Sequence, residues 1–181
     1  MKHKLFLLTL VSVVTLGFFS CNQNQMQNQS PDNTNDNVIK NDHILLKDYG
    51  PEPTVLDIES YTKGNDDFRN TLWTGKNLQV TLMTIPVNGD VGLEQHTNID
   101  QFLRIEEGKA RVMMGDTEDN LNFIKEAEAD YAVFVPAGKW HNLVNIGDKP
   151  LKLYSIYAPA EHPHGTIHKT QAESMEAEHH H

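Results

Sequence analysis

Two stretches of the chain decide its fold: Gly92-Leu93-Glu94-Gln95-His96, and Pro136-Ala137-Gly138-Lys139-Trp140-His141-Asn142-Leu143-Val144-Asn145. Glu94 and His96 are two residues apart, and side chains at that spacing in a strand point to the same face. Pro136 and Gly138 are typical of a tight turn, because proline presets φ at one position and glycine permits an unusual φ at the next. His141 begins the run that follows this turn. Each stretch therefore places groups that can bind a metal ion beside a turn between strands.

A further candidate, Gln101, follows the first stretch after a turn at residues 97–100. The chain then alternates in character, which predicts a strand with one face made of Gln101, Leu103 and Ile105. Gly108 ends that strand, where a turn can use positive φ. We therefore expect a hairpin that returns Gln101 to the side of Glu94 and His96.

If the strand that begins at His141 lies beside the first stretch, four side chains converge: Glu94, His96, Gln101 and His141. Two imidazoles, a carboxylate and a carboxamide oxygen suit one divalent ion such as Fe(II), Mn(II), Ni(II) or Zn(II). Glu94 is predicted either as a ligand or, if it swings free, as a catalytic general base beside the ion. The alternative is a solvated polar cluster on a barrel that binds no metal.

These stretches resemble the two motifs of the cupin superfamily, G-x5-H-x-H-x3-4-E-x6-G and G-x5-P-x-G-x2-H-x3-N. The second motif is matched from Pro136 through Asn145, with Asp130 in place of its opening glycine. The first motif is matched in spacing by Glu94, His96, Gln101 and Gly108. The resemblance covers residues 68–158 and implies a small β-barrel with a metal in its mouth, held here by a Glu/His/Gln/His set.

The rest of the chain also favours an all-β fold. Strand-like runs recur at 68–73, 78–85, 110–114, 121–124, 132–135 and 151–157, with turn residues between them, including 126–130. Many short strands at near-regular spacing are typical of barrels and sandwiches. Together with the resemblance, they predict a cupin-type double-stranded β-helix, or jelly-roll barrel. Apolar runs between residues 43 and 63 predict outer strands or arms that pack against the barrel. Thr170 with Glu173 forms a capping box that predicts a short C-terminal helix.

Residues 1–20 are predicted to be a lipoprotein signal peptide. Lys2 and Lys4 precede an apolar run that is shorter than the span of about 20 residues a transmembrane helix needs. Cys21, the single cysteine of the chain, follows a segment that resembles a bacterial lipobox, and it is the predicted lipidation site. The alternative is an ordinary secretory signal with an incidental cysteine. The predicted location is the cell envelope, membrane-anchored on the periplasmic or surface side.

The domain organisation follows from composition. Residues 21–42 are rich in Asn, Gln, Ser and Asp, and they are predicted to be a disordered tether. The barrel domain is assigned to 43–160, and a C-terminal loop and helix to 161–181. Histidines at 162, 164 and 168 are predicted to lie in a loop, with a second metal site as the alternative.

The charge limits the partners. The formal net charge is −10 at pH 7, which argues against nucleic acid. The predicted partners are a small-molecule ligand, the membrane through the lipid anchor alone, and a second subunit of a homodimer contacted through 43–63.

Two classes of function remain open. The first is a metal-dependent enzyme on a small polar or sugar-like metabolite, isomerase-like or dioxygenase-like; the chain resembles small cupins called mannose-6-phosphate isomerase-like. The second is a non-catalytic, membrane-tethered cupin that binds a small ligand or carbohydrate.

Overall fold

A computed structural model of the chain describes residues 44–178. The predicted signal peptide, Cys21 and the tether lie outside the described residues, so these predictions stay predictions. Within residues 44–178, no helix has both the length and the apolar character needed to span a membrane.

Ten strands and two helices make up the described part of the chain. The helices are α1 (Ile58–Gly64) and α2 (Gln171–Glu178). The strands are β1 (Arg69–Thr74), β2 (Gln79–Ile85), β3 (Glu94–Gln95), β4 (Asp100–Glu107), β5 (Lys109–Gly115), β6 (Phe123–Glu128), β7 (Ala132–Val135), β8 (Trp140–Asn145), β9 (Leu151–Ala158) and β10 (Ile167–His168).

The strands form two antiparallel sheets. One sheet has the order β10-β1-β2-β9-β4-β7, and the other has the order β3-β8-β5-β6. Neighbours within each sheet are often distant along the chain, as β2 and β9 are, which is the winding of a double-stranded β-helix. The predicted fold class, an all-β jelly-roll barrel with a short C-terminal helix, is confirmed.

The apolar core lies between the sheets, and the alternation of each strand decides which residues enter it. On β2, Met83 belongs to the core inside the barrel, whereas the adjacent Leu82 belongs to a second cluster outside it. Gln79 and Thr81 share the face of Met83, and both are fully buried. One wall of the barrel interior is therefore polar.

The outer strands predicted between residues 43 and 63 do not form in the described residues 44–63, whereas the alternative, arms that pack against the barrel, agrees with the structure. The chain there is irregular and then forms α1, which Asp57 caps by accepting hydrogen bonds from Ser60 N at 3.2 Å and Ser60 Oγ at 2.6 Å. Ile58 and Tyr61 pack against the outer cluster. Because a helix N-cap satisfies otherwise free backbone N–H groups, this local bond favours a helix over another strand.

The predicted turn at 126–130 is also wrong in its bounds, because β6 continues to Glu128. Glu126 and Glu128 lie on the outer face opposite Arg111 and Lys109 of β5. Lys109 Nζ forms a salt bridge of 2.6 Å with Glu126 Oε2. Opposite charges on paired strands stabilise the ladder, so acidic residues here do not end the strand.

The C-terminal helix begins with the predicted pair of Thr170 and Glu173, although the acidic side chain bonds one residue before the position that a standard capping box uses. Thr170 Oγ1 accepts a hydrogen bond from Glu173 N at 3.3 Å, and Glu173 Oε2 accepts one from Lys169 N at 2.6 Å. Ser174 anchors α2 to the barrel, because its Oγ accepts a hydrogen bond from the buried guanidinium of Arg69.

Candidate metal centre

The pairing of β3 with β8 builds the centre of the site. Glu94 lies directly opposite His141 in this antiparallel pair. Their side chains meet on the inner face, with His141 Nε2 3.2 Å from Glu94 Oε1. The other ring nitrogen, Nδ1, lies 3.1 Å from the carbonyl oxygen of Lys139. A carbonyl oxygen only accepts, so Nδ1 carries the hydrogen and the neutral ring turns its Nε2 lone pair toward a carboxylate. That contact is favourable only with a cation between the two atoms, either a proton or a metal ion.

His96 approaches the same carboxylate oxygen from the other side. Its Nε2 lies 3.4 Å from Glu94 Oε1. That contact does not have hydrogen-bond geometry, and Nε2 is a buried atom without a hydrogen-bond partner among the described residues. The rings of His96 and His141 are 5.5 Å apart and tilted by 55°. A buried imidazole nitrogen without a hydrogen bond is costly, which fits a ligand position for a metal ion.

The spacing of these atoms suits a single ion. Ligand atoms of Glu94, His96 and His141 lie within 4.8 Å of one another. Two atoms that each lie about 2.1 Å from one ion, roughly 90–110° apart, are about 3.0–3.4 Å from each other. The two contacts of Glu94 Oε1, at 3.2 and 3.4 Å, fall in that interval. The donor set therefore fits a divalent metal, with three protein ligands and room for others.

Two turns hold this geometry. Gly138 N donates a hydrogen bond of 2.8 Å to His96 O, and Gln95 Nε2 donates one of 2.9 Å to Gly138 O. Ala137 N donates to Asp100 Oδ1 at 2.9 Å. The turn that precedes His141 is thus fastened to the segment that carries His96.

Gln101 does not reach the site in the predicted way. β3 and β4 belong to different sheets, so the expected hairpin between them is wrong. Gln101 instead pairs with Tyr157 of β9 and faces the barrel interior, where its Nε2 donates to Ser155 Oγ at 3.0 Å. Its Oε1 is buried and has no hydrogen-bond partner among the described residues. The ligand role of Gln101 stays a prediction.

Residues 159–166, which we call the mouth loop, connect β9 to β10 and cover the site. Glu161 Oε1 lies 3.3 Å from His96 Nδ1. Gln79 holds the loop through the backbone of His162: Gln79 Nε2 donates to His162 O at 2.7 Å, and His162 N donates to Gln79 Oε1 at 2.9 Å. The sequence did not predict a role for Glu161 at the site, because no local pattern distinguishes it from a solvated loop carboxylate.

A cavity of about 800 Å³ opens above the triad. Its lining combines apolar and polar side chains: Leu93, Glu94, Gln95, His96, Trp140, Glu161, His162, Pro163, Thr166, His168 and Ala177. Two of the three C-terminal histidines thus face the same cavity as the triad. His164 lies apart, with its Nε2 2.9 Å from Gly50 O. Among the described residues, the triad is the one group of three His, Cys, Asp or Glu ligands that lie this close, and the second metal site is not formed.

Charge at the site is concentrated on Glu94. Burial opposes ionisation of this carboxyl, but contacts with His141 and His96 outweigh it and hold its pKa well below its usual range. Arg69, fully buried, lies with Nη2 3.8 Å from Glu94 Oε2. Burial opposes protonation of His96, yet the carboxylates of Glu161 and Glu94 raise its pKa to about 9. The two carboxylates that raise this pKa also favour a metal cation, which must displace the proton of His96 to bind.

Comparison with known proteins agrees with this geometry. The Cupin domain family matches residues 81–157, which run from β2 to β9. The chain belongs to the cupin superfamily. The crystal structure of BH2720 from Bacillus halodurans is similar to this cupin, with a TM-score of 0.71 and 58% identity over 72% of this chain and 98% of BH2720. The uncharacterized protein YrkC of Bacillus subtilis (strain 168) is 56% identical over 136 residues, 75% of this chain and 73% of YrkC.

A more distant structure shares the fold alone. A conserved protein of Klebsiella pneumoniae with a double-stranded β-helix domain has a TM-score of 0.51 and 14% identity, over 66% of this chain and all of the other.

Backbone φ angles explain why this cupin can have residues other than glycine at two glycine positions of the motifs. Gly108 and Gly138, which match the motifs, have φ of 96° and 81°. Asp130, which replaces the opening glycine of the second motif, has φ of 71°. Six residues before Glu94, where the first motif opens with glycine, Asn88 has φ of 62°. Asn and Asp tolerate the left-handed region better than other non-glycine residues, so the turns survive these replacements.

Proposed function

We propose that this cupin is a metal-dependent enzyme that binds one divalent ion and acts on a small polar, sugar-like metabolite. Glu94, His96 and His141 are the proposed ligands, with Gln101 as a fourth, and Fe, Mn, Ni and Zn are the candidate metals. The observation that carries the proposal is the convergence of two imidazole Nε2 atoms on one carboxylate oxygen, at 3.2 and 3.4 Å.

The ligand set favours one reaction class. Two histidines and one carboxylate with open positions are the donor set of non-haem Fe(II) oxygenases. A dioxygenase is therefore the favoured activity, and an isomerase, as in the mannose-6-phosphate isomerase-like cupins, is the other. When bound, the ion supplies a Lewis acid that polarises substrate oxygens or a site that takes up dioxygen.

The residues around the triad provide the remaining functions of such an enzyme. Leu93 and Trp140 form an apolar wall of the cavity, and Glu161 and His162 a polar one. A metabolite with hydroxyl or carbonyl groups can thus be oriented between them. Glu94 is kept ionised by its two imidazole neighbours, which suits a ligand. It becomes the base that accepts a proton from the substrate only if it swings free of them.

The test is elemental analysis of the full chain, purified without added metal and without a polyhistidine affinity step. We expect one equivalent of Fe, Mn, Ni or Zn. Oxygen consumption with candidate metabolites then tests the dioxygenase, and aldose–ketose interconversion tests the isomerase. A protein that takes up no metal even after reconstitution, yet binds a sugar, would be the non-catalytic binding cupin instead.

We also propose that the protein is a lipoprotein of the cell envelope, anchored through Cys21. The support is the sequence alone: a signal-like segment followed by the single cysteine of the chain. Cys21→Ser should move the protein from the membrane fraction to the soluble fraction, whereas Ser20→Ala should leave it anchored. Membrane retention of Cys21→Ser would exclude the lipid anchor.

A homodimer remains part of the proposal. Its proposed contact is the segment 43–63, of which the described residues 44–63 contain α1 and no strand. Sedimentation velocity of the full chain would give the oligomeric state, and a monomer at micromolar concentration would contradict the homodimer.

A further inference from the structure

We propose that Glu161 is a positioning residue of the metal centre, which fixes the tautomer and orientation of His96, and that Gln79 holds Glu161 in place. This inference rests on the proposed metal binding. It assigns a role to a loop residue that lies far from the motif along the chain.

The first step is the position of the two carboxylates around the ring of His96. Glu94 Oε1 lies 3.4 Å from Nε2, and Glu161 Oε1 lies 3.3 Å from Nδ1. A carboxylate only accepts hydrogen bonds, so Glu161 favours a hydrogen on Nδ1. In the neutral ring, the lone pair then resides on Nε2 and points to the side of Glu94. That is the tautomer a metal ion at the triad requires.

Glu161 is placed to orient His96 and not to bind the ion itself. Glu161 stands at the nitrogen of His96 that faces away from Glu94 and His141. The two ring nitrogens point in diverging directions, so an ion held at Nε2 lies on the far side of the ring from Glu161. In agreement, the cluster of mutually close ligand atoms contains Glu94, His96 and His141 without Glu161.

The third step is the rigidity of the mouth loop. Gln79 is fully buried on β2, and its carboxamide makes both hydrogen bonds to the backbone of His162, the residue after Glu161. Gln79 Nε2 also donates to Thr74 Oγ1 at 2.9 Å. Farther along, Thr71 N donates to Thr166 O at 2.9 Å. These hydrogen bonds fasten the mouth loop to strand residues on both sides of Glu161 and so restrict where its side chain can lie.

The two ligand histidines therefore obtain their orientation differently. His141 has a local partner, because its Nδ1 donates to Lys139 O on the same strand segment at 3.1 Å. His96 follows the two-residue strand β3, and its Nδ1 is served by a carboxylate from the mouth loop. Removing Glu161 should weaken the contribution of His96 and leave that of His141 unchanged.

The experiment measures Zn(II) affinity of the full chain by competition with a chromophoric chelator. Glu161→Ala should lower the affinity by about 10–100-fold, the usual effect of losing an outer partner of a metal-bound histidine. Glu161→Gln keeps an acceptor oxygen of the same shape, so it should lose less. Glu128→Gln, on the outer face of β6, is the matched control and should bind like the wild type.

A second readout separates positioning from general stability. The visible absorption spectrum of the Co(II)-loaded protein should change in Glu161→Ala, because the ring of His96 is no longer held. The far-UV circular dichroism spectrum of the metal-free variant should match that of the wild type, which shows that the barrel is still folded. Gln79→Leu should lower Zn(II) affinity in the same direction but by a smaller factor, since Glu161 is still present.

The outcomes are distinct. Glu161→Ala with wild-type Zn(II) affinity and an unchanged Co(II) spectrum would overturn this inference and leave the proposed metal binding intact. A loss in Glu161→Gln as large as in Glu161→Ala would show that charge, not the acceptor at Nδ1, matters, and would overturn the tautomer argument. Wild-type affinity in Gln79→Leu would overturn the role of Gln79. A wild-type protein that binds no Zn(II) or Co(II) would overturn the proposed function and this inference together.

Discussion

Two imidazoles that line the same cavity, those of His96 and His162, both contact the ring of Tyr157 but differ in how readily they bind a proton. His96 and His162 both stand edge-on to the Tyr157 ring, with centroids 5.5 and 5.2 Å away and interplanar angles of 90° and 88°. Their pKa values nevertheless shift in opposite directions. The pKa of His96 rises to about 9, whereas that of His162 falls to about 3.

Burial cannot explain this difference, because it lowers the pKa of both rings. His96 lies between the carboxylates of Glu94 and Glu161, which reverse the effect of burial. For His162, burial is the larger cause and the cation of Arg69 adds to it. The barrel mouth thus has one side built to hold a cation and one side whose imidazole stays neutral.

The largest effect is expected from removing a ligand on the cation side. His141→Ala should lower Zn(II) affinity by roughly a thousandfold or more, since each ligand of a zinc site contributes several kcal/mol. Circular dichroism should show an intact barrel. His164→Ala, which removes an exposed imidazole of the mouth loop, is the control and should keep one equivalent of metal. Full metal content in His141→Ala would exclude His141 from the site.

The neutral state of His162 should make the folded protein less stable in acid. The pKa of His162 is about 3 in the folded protein and about 6.5 when unfolded, so the unfolded chain binds more protons between these values. The metal-free protein should therefore lose stability as pH falls from 6.5 to 3, by about 4 kcal/mol from this group. The free energy of unfolding of His162→Gln, measured with urea, should fall less steeply between pH 6.5 and 3 than that of the wild type. An equally steep fall in the variant would mean that His162 is not held neutral.

For His96, the free energy of unfolding should depend on pH in the opposite direction. The pKa of His96 is about 9 in the folded protein, above its unfolded value, so the folded protein binds the extra proton. Its contribution is complete below pH 6.5 and is lost as pH rises through 9, amounting to about 3 kcal/mol in the metal-free protein. Urea unfolding between pH 6 and 10 measures this loss. His96→Gln should remove the alkaline dependence, and persistence of the slope would assign it elsewhere.

The smallest effect is expected at Gln101. If its unpaired Oε1 joins the triad as a fourth ligand, Gln101→Leu should lower Zn(II) affinity by about tenfold. Ser155→Ala is the matched control, because it removes the hydrogen bond to Gln101 Nε2 but keeps the carboxamide. Equal affinities for the two variants and the wild type would make Gln101 a structural residue of the barrel interior.

How far the sequence predicted the site depended on the distance over which each contact acts. Glu94 and His96 are two residues apart, and the turn at Pro136 sets where His141 begins its strand. Local sequence patterns were therefore enough to predict these three residues. The hairpin expected to bring Gln101 to the triad is wrong, whereas its role as a ligand stays a prediction. The alternation that put it inside the barrel was right, but the chain crosses from one sheet to the other between β3 and β4.

Other residues of the site carried no local signal. Glu161 resembles any loop carboxylate, and its role arises from the two hydrogen bonds that Gln79 makes to the next residue. Arg69 begins β1 and reaches Glu94 only because β1 pairs with β2 and β10 beside the mouth. The helix α1 is short, and the apolar runs around its Asp57 cap have no clear helical period, so the local pattern does not distinguish it from a strand.

The sequence by itself determined the all-β barrel, the two turns that carry the motifs and the three side chains of the triad, because strand alternation and turn chemistry act over a few residues. The tertiary structure alone decided which charges face each imidazole, where the mouth loop is fastened and how Gln101 is bonded. These depend on strands that are distant along the chain and adjacent in the sheets. Whether a buried histidine holds a proton or stays neutral is decided by such neighbours, and no local pattern contains them.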